Sequence, residues 1–431
     1  MKGEELMKKN KLIALFMAMA MTLTLLAGCG KKAEEPVTTP PAEGTPPVEE
    51  PAGPQEGPIY DEWSDKTDAE LYELAKAEGG VINVYANSSK MQKEKEPFEA
   101  DYPGLVLECF DLDQDEVLGK AKIEAETNNI TADILEAKDV NGTVFYDFSE
   151  NNVMVPFYPR DICAKIDPSA LRYGYPLYTS QTFWYYNTKA FPDGQPINNW
   201  WQIIEKKDDG NQKYRLFTKE IGQESAYLSL FASFIGNADQ MEKAYKDCYG
   251  KDLEYTYDAS VFDFEVPANN AGVEYMWRFS QMKMTFIGDG DELVLAVDNS
   301  TKDDPALCLT SGGKITNRDE SGYSIAWCTN LAPYTGLQNY ENMYVVNNCD
   351  NPAGARLFIR YITGGVDGTS EGMKPFSKEG NWPVRSDVVS DWNPVALKDT
   401  GAIASDLKAI YDVYLDTQDM WTFWLGKNPN M

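Results

Sequence analysis

No histidine occurs anywhere in the 431 residues. That excludes Ser-His-Asp and Cys-His catalysis, histidine-bearing zinc sites and the two-histidine, one-carboxylate iron site. A metal would have to be held by Asp, Glu, Tyr or Cys. Cysteine is scarce: seven residues, none in Cys-x-x-Cys spacing, which leaves neither a disulfide-dense scaffold nor a zinc framework. Cys29 stands apart by its context. The other six (Cys109, Cys163, Cys248, Cys308, Cys328 and Cys349) read as small buried apolar residues. A Cys308–Cys328 pair is left open. Positive charge is also short: 39 Lys and Arg stand against 68 Asp and Glu, a net charge of −29. This argues against a nucleic-acid partner or a basic membrane-binding face. The charge serves solubility, or draws in a cationic ligand.

What is present begins with a leader. Lys2, Lys8, Lys9 and Lys11 precede an apolar run over residues 12–27, shorter than the ~20 residues a membrane span needs. It ends Leu26-Ala27-Gly28-Cys29. Residues 1–28 are therefore expected to be a lipoprotein signal peptide, with Cys29 the lipidated first residue of the mature chain. Residues 29–58 are rich in Pro, Glu and Thr and cannot form a core, so a disordered tether is expected. At ~3.1 Å per extended residue it would reach up to ~90 Å. The implied location is the extracytoplasmic face of the cell membrane, lipid-anchored.

The remaining length exceeds one ordinary domain, so two lobes are expected. Thr67 and Glu70 have capping-box spacing, and Gly79-Gly80 ends the helix they open. A strand over 81–85, the polar turn Asn87-Ser88-Ser89, a helix over about 90–101, Pro103-Gly104 and a strand over 105–110 make one βαβ unit. A polar turn at the carboxyl end of a parallel strand is where α/β sheets bind ligands. Two further strand ends present such turns: 111–115, including Asp113, and Lys138-Asp139 after a short strand over 133–136. Helix capping alone also explains each of them. In the second half, Glu224-Ser225 opens an apolar helix, and Asp289 and Asp291 open another ahead of residues 293–297. Thr179 and Trp184 lie in an aromatic, β-prone run over 177–186. Trp184, Trp327 and Tyr334 could stack on a ring or hold an ammonium group; core packing is the plainer explanation of each.

Four motifs in order carry a family resemblance: residues 80–85 with Phe98-Glu99-Ala100-Asp101-Tyr102-Pro103-Gly104; Tyr186-Asn187-Thr188 followed by Pro192-Asp193-Gly194 and Trp200-Trp201; residues 339–348 followed by Asn351-Pro352-Ala353-Gly354; and Trp382-Pro383-Val384-Arg385. Together, behind the leader, the chain resembles extracellular solute-binding proteins of ABC importers, in the iron(III)-type branch. The resemblance implies an α/β, two-lobed periplasmic-binding-protein fold (type II), each lobe a mainly parallel sheet flanked by helices and joined by hinge strands. Lobe 1 would take residues 59–180, lobe 2 residues 181–338, and residues 339–431 would return to lobe 1 and form C-terminal helices. It implies no enzyme activity, no cofactor, and as partners a small-molecule or ion ligand, a permease and its ATPase. The ligand would meet Asn87, Ser88, Ser89, Asp113, Lys138, Asp139, Thr179, Trp184, Glu224, Ser225, Asp289, Asp291, Trp327 and Tyr334.

Iron-binding members of that branch use an adjacent tyrosine pair ahead of the return. Here that region offers Tyr323, Tyr334, Tyr340 and Tyr344, none adjacent, while Tyr185-Tyr186 lies in the crossing strand. Ferric iron, a phosphorylated or phosphonate compound, thiamine and a polyamine all stay open as ligands. A tethered carboxylate hydrolase and a solute sensor of the same fold are the rival functions.

Overall fold

The computed structural model describes residues 56–149 and 151–430. The signal peptide, Cys29 and all but the last three residues of the expected tether lie outside the described residues. Among the described residues no helix is long and apolar enough to cross a membrane.

The first sheet is built on the βαβ unit. Helix α1 (Asp68–Ala77) has the expected capping box: Thr67 N donates to Glu70 Oε2 at 2.8 Å, and Glu70 N to Thr67 Oγ1 at 3.3 Å. Gly80 then takes φ +75°, and a Cβ there would lie 2.8 Å from Gly104 O, so the turn beside the second strand needs glycine. Strand β1 (Val81–Ala86) runs parallel to β2 (Val106–Asp111) and β3 (Ile134–Lys138), and lies between them. Ile82, Val84, Tyr85 and Ala86 are all buried, because helices cover both faces of the sheet. The helix expected over 90–101 is divided. A 3-10 segment, Ser89–Glu94, precedes α2 (Lys95–Asp101). Helix α3 (Gln114–Thr127) follows β2. After Asp139 the chain makes a single π-type turn, Val144–Ser149, and β4 (Met154–Pro156) comes next.

Strand β5 (Tyr175–Ser180) passes through Gln181 straight into β6 (Thr182–Asn187), which belongs to the second sheet. That sheet contains β7 (Arg215–Thr218), β8 (Met284–Phe286), β9 (Ala306–Ser311) and β10 (Ile325–Trp327), in the order β10-β6-β9-β7-β8. Around it pack α4 (Ser225–Gly236), α5 (Ala238–Tyr249), α6 (Ala271–Ser280) and α7 (Gly290–Asp298). The chain returns through β11 (Leu337–Val346), antiparallel to both β3 and β5. Helix α8 (Pro352–Ile362), capped by Asn351 Oδ1 from Gly354 N at 2.8 Å, packs on α1. A short strand, β12 (Asn381–Pro383), then adds to β5.

The C-terminal segment divides between the lobes. Strand β13 (Ile403–Ala404) pairs with β11, but α9 (Leu407–Gly426) lies on α4 and α6 of the second lobe. The reason is α4 itself. Its sequence is apolar all round, so one covering layer cannot bury it. Met420, Trp421 and Trp424 supply the second layer. The same core holds Trp200 and Trp201, whose indole N–H groups donate to Tyr334 O at 2.9 Å and Met241 O at 3.0 Å. Satisfying those donors allows two whole indoles to be buried. Cys308 and Cys328 are buried free thiols.

One buried acid in the first lobe gives a test of this packing. Glu94 is fully buried, and neither carboxyl oxygen has a hydrogen-bond partner. Burial, with a smaller push from the Glu371 charge, moves its pKa up to about 8. A raised folded value means stability is whole below the unfolded pKa of about 4.3 and declines as pH rises toward the folded one. Glu94→Met is therefore expected to raise the melting temperature by roughly 5 °C at pH 8.5 and by much less at pH 5. Equal gains at the two pH values would show that the buried charge is not the cause.

Candidate ligand cleft

The crossing strands leave a cleft between the two sheets, a cavity of about 340 Å³. It sits at the carboxyl ends of parallel strands from both lobes, where an α/β fold exposes polar turns. Its floor is the junction Ser180, Gln181 and Thr182, with Asn339 of β11 paired opposite Ser180. Lobe 1 contributes Lys138 at the end of β3. Lobe 2 contributes Lys219 after β7, Glu224 and Tyr227 at the start of α4, Asp289 and Gly290 at the start of α7, Thr310 and Ser311 at the end of β9, and Lys314 after it.

The floor is polar and unsatisfied. Gln181 is 2% exposed, and neither its amide oxygen nor its amide nitrogen has a partner; Asn339 is 5% exposed with Oδ1 unpartnered. A buried polar group left without a partner costs about 1–3 kcal/mol. Both residues line the floor of the same cavity.

The walls are ionic. Lys219 Nζ lies 2.6 Å from Glu224, Lys314 Nζ 2.8 Å from Asp291, and Lys138 Nζ 3.3 Å from the buried Glu341. The Lys314 bond, helped by Asn317, holds the Asp291 carboxyl below its ordinary range. Glu136, on the strand beside Glu341, is wholly buried, and burial followed by the Glu341 charge pushes its pKa well up. Each acid of the cavity wall thus has a fixed task. Glu224 pairs with a lysine, and Asp289 Oδ1 caps α7 by accepting from Asp291 N at 2.7 Å and Glu292 N at 3.0 Å.

Of the residues expected at the ligand, the cavity wall holds Lys138, Glu224 and Asp289. Ser225 is the first residue of α4, and Asp291 stands behind Lys314. Asn87 is adjacent but occupied: its amide donates to Gln114 Oε1 at 3.1 Å, and Gln114 also donates to Lys138 O at 2.7 Å. Gln114, unremarkable in sequence, so ties the ends of β1 and β3 together. Ser88 opens the 3-10 segment without a side-chain cap, and Ser89 is exposed. Asp113 is the exposed N-cap residue of α3, its backbone N–H donating to Glu116.

The remaining five lie in packed interior. Trp184 sits in the second core against Trp200, with ring centroids 5.9 Å apart. Trp327 stacks on Phe183 at 4.5 Å. Tyr334 is buried with its hydroxyl 2.8 Å from Ser233 Oγ. Thr179 is fully buried and donates to Asn339 O at 3.3 Å. Asp139 accepts from Gly142 N and Phe145 N, both at 2.8 Å, and holds the turn after β3; burial raises its pKa to about 6. The aromatic residues are large and apolar enough that the core outcompetes the cleft for them.

The cleft offers little to a bare metal ion. Among the described residues no three Cys, Asp or Glu side chains converge on one point. The cavity wall's Tyr227 gives its hydroxyl to Leu309 O at 3.1 Å. Tyr340 and Tyr344 are likewise bonded within the protein, to Gln338 and to Tyr173 O.

No family model and no curated protein matches the chain. Solved structures do. Iron-bound HitA from Pseudomonas aeruginosa superposes with a TM-score of 0.58 at 11% identity, over 80% of this chain and 99% of that one. The Trichodesmium protein IdiA (FutA), in complex with iron and citrate, gives 0.54 at 17% identity, over 80% and 99%. The Atu4243–GABA receptor gives 0.54 at 11% identity, over 80% and 98%. The chain has the two-lobed periplasmic-binding-protein fold. In this fold the crossing strands β5–β6 and β10–β11 are the joints between the lobes, which places Gln181 on a joint and on the cavity floor together.

Proposed function

We infer that this protein is the solute-binding subunit of an ABC importer. It captures a small solute between its lobes and delivers it to a membrane permease and its ATPase. Its place would be the extracytoplasmic face of the membrane, held there through Cys29. The observation that carries the reading is the polar floor: two buried amides, Gln181 and Asn339, without partners, on the strands that join the lobes. A solute that satisfies them makes contacts only the closed form provides, and so shifts an open–closed equilibrium without chemistry. The structurally similar proteins support this. One is iron-bound, one holds iron and citrate, and one is a GABA receptor, so the fold serves ligands of very different chemistry. A hydrolase is disfavoured because the cavity acids are held as ion pairs and caps rather than left as an acid–base couple.

The test is native mass spectrometry for a co-purified solute, then thermal-shift screening with small-angle scattering to follow closure. A solute that raises the melting temperature and shrinks the radius of gyration without turnover is expected. Product formation without tight binding would sink the reading. Gln181→Leu should leave stability equal or higher, since it removes an unsatisfied amide. It should weaken that solute at least about tenfold, the loss of ~1.4 kcal/mol.

A further inference from the structure

Strands β7, β8 and β9 run parallel, and the cleft lies at their carboxyl ends. Their amino ends therefore form the opposite pole of the second lobe. Two adjoining cavities of about 340 and 490 Å³ lie there, sharing Lys206, Gln281 and Met282. The larger is lined by the residues that lead into the strands: Lys213 and Tyr214 before β7, Lys283 before β8, and Asp304 and Pro305 before β9. Each cavity is the size of a small-molecule site.

The groove they form is basic, in a chain of net charge −29. Lys206, Lys251 and Arg278 line the first cavity, and Lys207, Lys213, Arg215 and Lys283 the second; Asp304 is the one acid in either wall. Lys213 and Arg215 are paired, with Glu205 and Asp304, both at 2.9 Å. Lys206, Lys207, Lys251 and Lys283 are exposed, and none of them pairs with a carboxylate among the described residues. Arg278 is fixed, Nε donating to Glu274 Oε1 and Nη2 to Glu254 O, both at 2.6 Å. Aromatic rings lie beside these charges. Trp277 and Tyr249 are half-buried and open on the first cavity, and Tyr249 packs on the buried Tyr245 with ring centroids 4.9 Å apart. In the second cavity the rings of Tyr214 and Phe217 are buried, and the amides of Asn211, Gln212 and Asn430 take their place in the wall.

We propose that this groove is a second binding site, which takes an anionic oligosaccharide. Sugars present apolar C–H faces to aromatic rings, hydroxyls to amides and acidic substituents to lysines, and the groove supplies all three. Four ammonium groups without carboxylates repel one another, and an anion among them reverses the sign of that interaction. A flat bilayer cannot enter a concave groove and would meet only its rim. A run of nucleobases stacks on successive rings, and the second cavity has none open. An acidic peptide would use the lysines and leave Trp277 and Tyr249 idle. The groove shares no residue with the cleft. A glycan held there leaves the cleft free to open and close, so the site goes beyond the solute-capture reading and does not depend on it.

The experiment is calorimetric titration of the full chain with two anionic hexasaccharides, hexagalacturonate for carboxylates and a heparin hexasaccharide for sulfates, and with neutral maltohexaose. Hexaglutamate, hexathymidylate and phosphatidylglycerol vesicles are the competing polyanions. At least one anionic hexasaccharide is expected to bind, and maltohexaose at least about tenfold more weakly. Lys206→Gln, Lys207→Gln, Lys251→Gln and Lys283→Gln together should weaken the anionic hexasaccharide at least about thirtyfold. The melting temperature should not fall, because these four side chains are exposed and unpaired. Trp277→Leu should weaken the hexasaccharide about fivefold, through loss of stacking, and leave hexaglutamate as it was. Gln181→Leu, in the cleft, should leave hexasaccharide binding unchanged. Failure of both anionic hexasaccharides overturns the proposal, as does retained affinity in the lysine variant, or equal affinity for any of the competing polyanions. Loss of hexasaccharide binding in Gln181→Leu would put the sugar in the cleft; the groove is then wrong and the capture reading stands. If the hexasaccharide binds through the lysines and no solute changes the radius of gyration, the groove stands and capture fails.

Discussion

Gly380→Ala is expected to destabilise the protein by about 2–4 kcal/mol and to abolish its response to solute. Two separate costs add. Gly380 has φ +92°, a conformation that costs an L-residue roughly 1–2 kcal/mol. A Cβ there would also lie 2.6 Å from Gly312 C and Gly313 N, both backbone, so nothing can move aside cheaply; overpacking of this kind costs typically ~1–3 kcal/mol. The position matters because Gly380 sits on the strap that crosses from lobe 1 to lobe 2. On one side of it Lys378 reaches the second lobe. On the other, β12 pairs with β5 while Trp382 packs against Phe183 and Trp327. Gly194→Ala is the control. It has φ +123° but open space around it, so it should carry the backbone cost alone. Thermal denaturation of the two variants, side by side, decides the matter. Equal losses would mean that the strap does not hold its close approach in solution.

Removing both carboxylates from Arg360 is expected to cost about 3–5 kcal/mol, lowering the melting temperature by roughly 10 °C. Arg360 projects from α8 with its side chain almost wholly buried. It donates to Asp161 through two bonds of 2.8 Å and also bonds Asp68 of α1. Asp68→Ala with Asp161→Ala leaves that guanidinium buried and unpaired. Arg360→Met should cost clearly less, because the freed carboxylates are partly exposed and can return to water, while the methionine still fills the site. A larger loss for Arg360→Met than for the double aspartate variant would refute this account. The pH dependence has a definite sign. The Arg360 bond, as the largest cause, holds Asp161 below the usual carboxylate range. A depressed folded value gives stability that is whole above the unfolded pKa of about 3.9 and lost as pH falls through the folded one. The natural protein should therefore lose this contribution below about pH 4, and Arg360→Met should show no such loss.

Much of the fold is written locally. The capping box at Thr67 and Glu70, the Gly79-Gly80 stop and the Pro103-Gly104 turn each act within a few residues, so the first βαβ unit forms where its sequence says it should. The aromatic run over 177–186 is a crossing strand because a stretch that is apolar on both faces must be covered on both, and two sheets share it. Local signals were less sure about detail. The helix expected over about 90–101 opens as a 3-10 segment, Ser89–Glu94, before α2 takes over.

The candidate site was legible only in part. Lys138, Glu224 and Asp289 follow from the rule that polar turns at strand ends face the cleft. Trp184, Trp327 and Tyr334 do not, because composition marks an aromatic as valuable without saying which side of a strand it occupies. Gln181 and Asn339 carried no signal at all. An amide is ordinary in sequence and becomes notable only when burial removes water and no partner replaces it. The sequence by itself therefore determined the order of elements, the two-sheet plan and the strand ends that face one another, because these rest on short-range periodicity and turn chemistry. Only the tertiary structure decided which polar groups meet there. Asn339 is set beside the β5–β6 junction, and Gln181 is left without a partner, through the pairing of β11 and β12 with β5 and the burial that pairing imposes. Such meetings depend on contacts between distant parts of the chain, which no local pattern encodes.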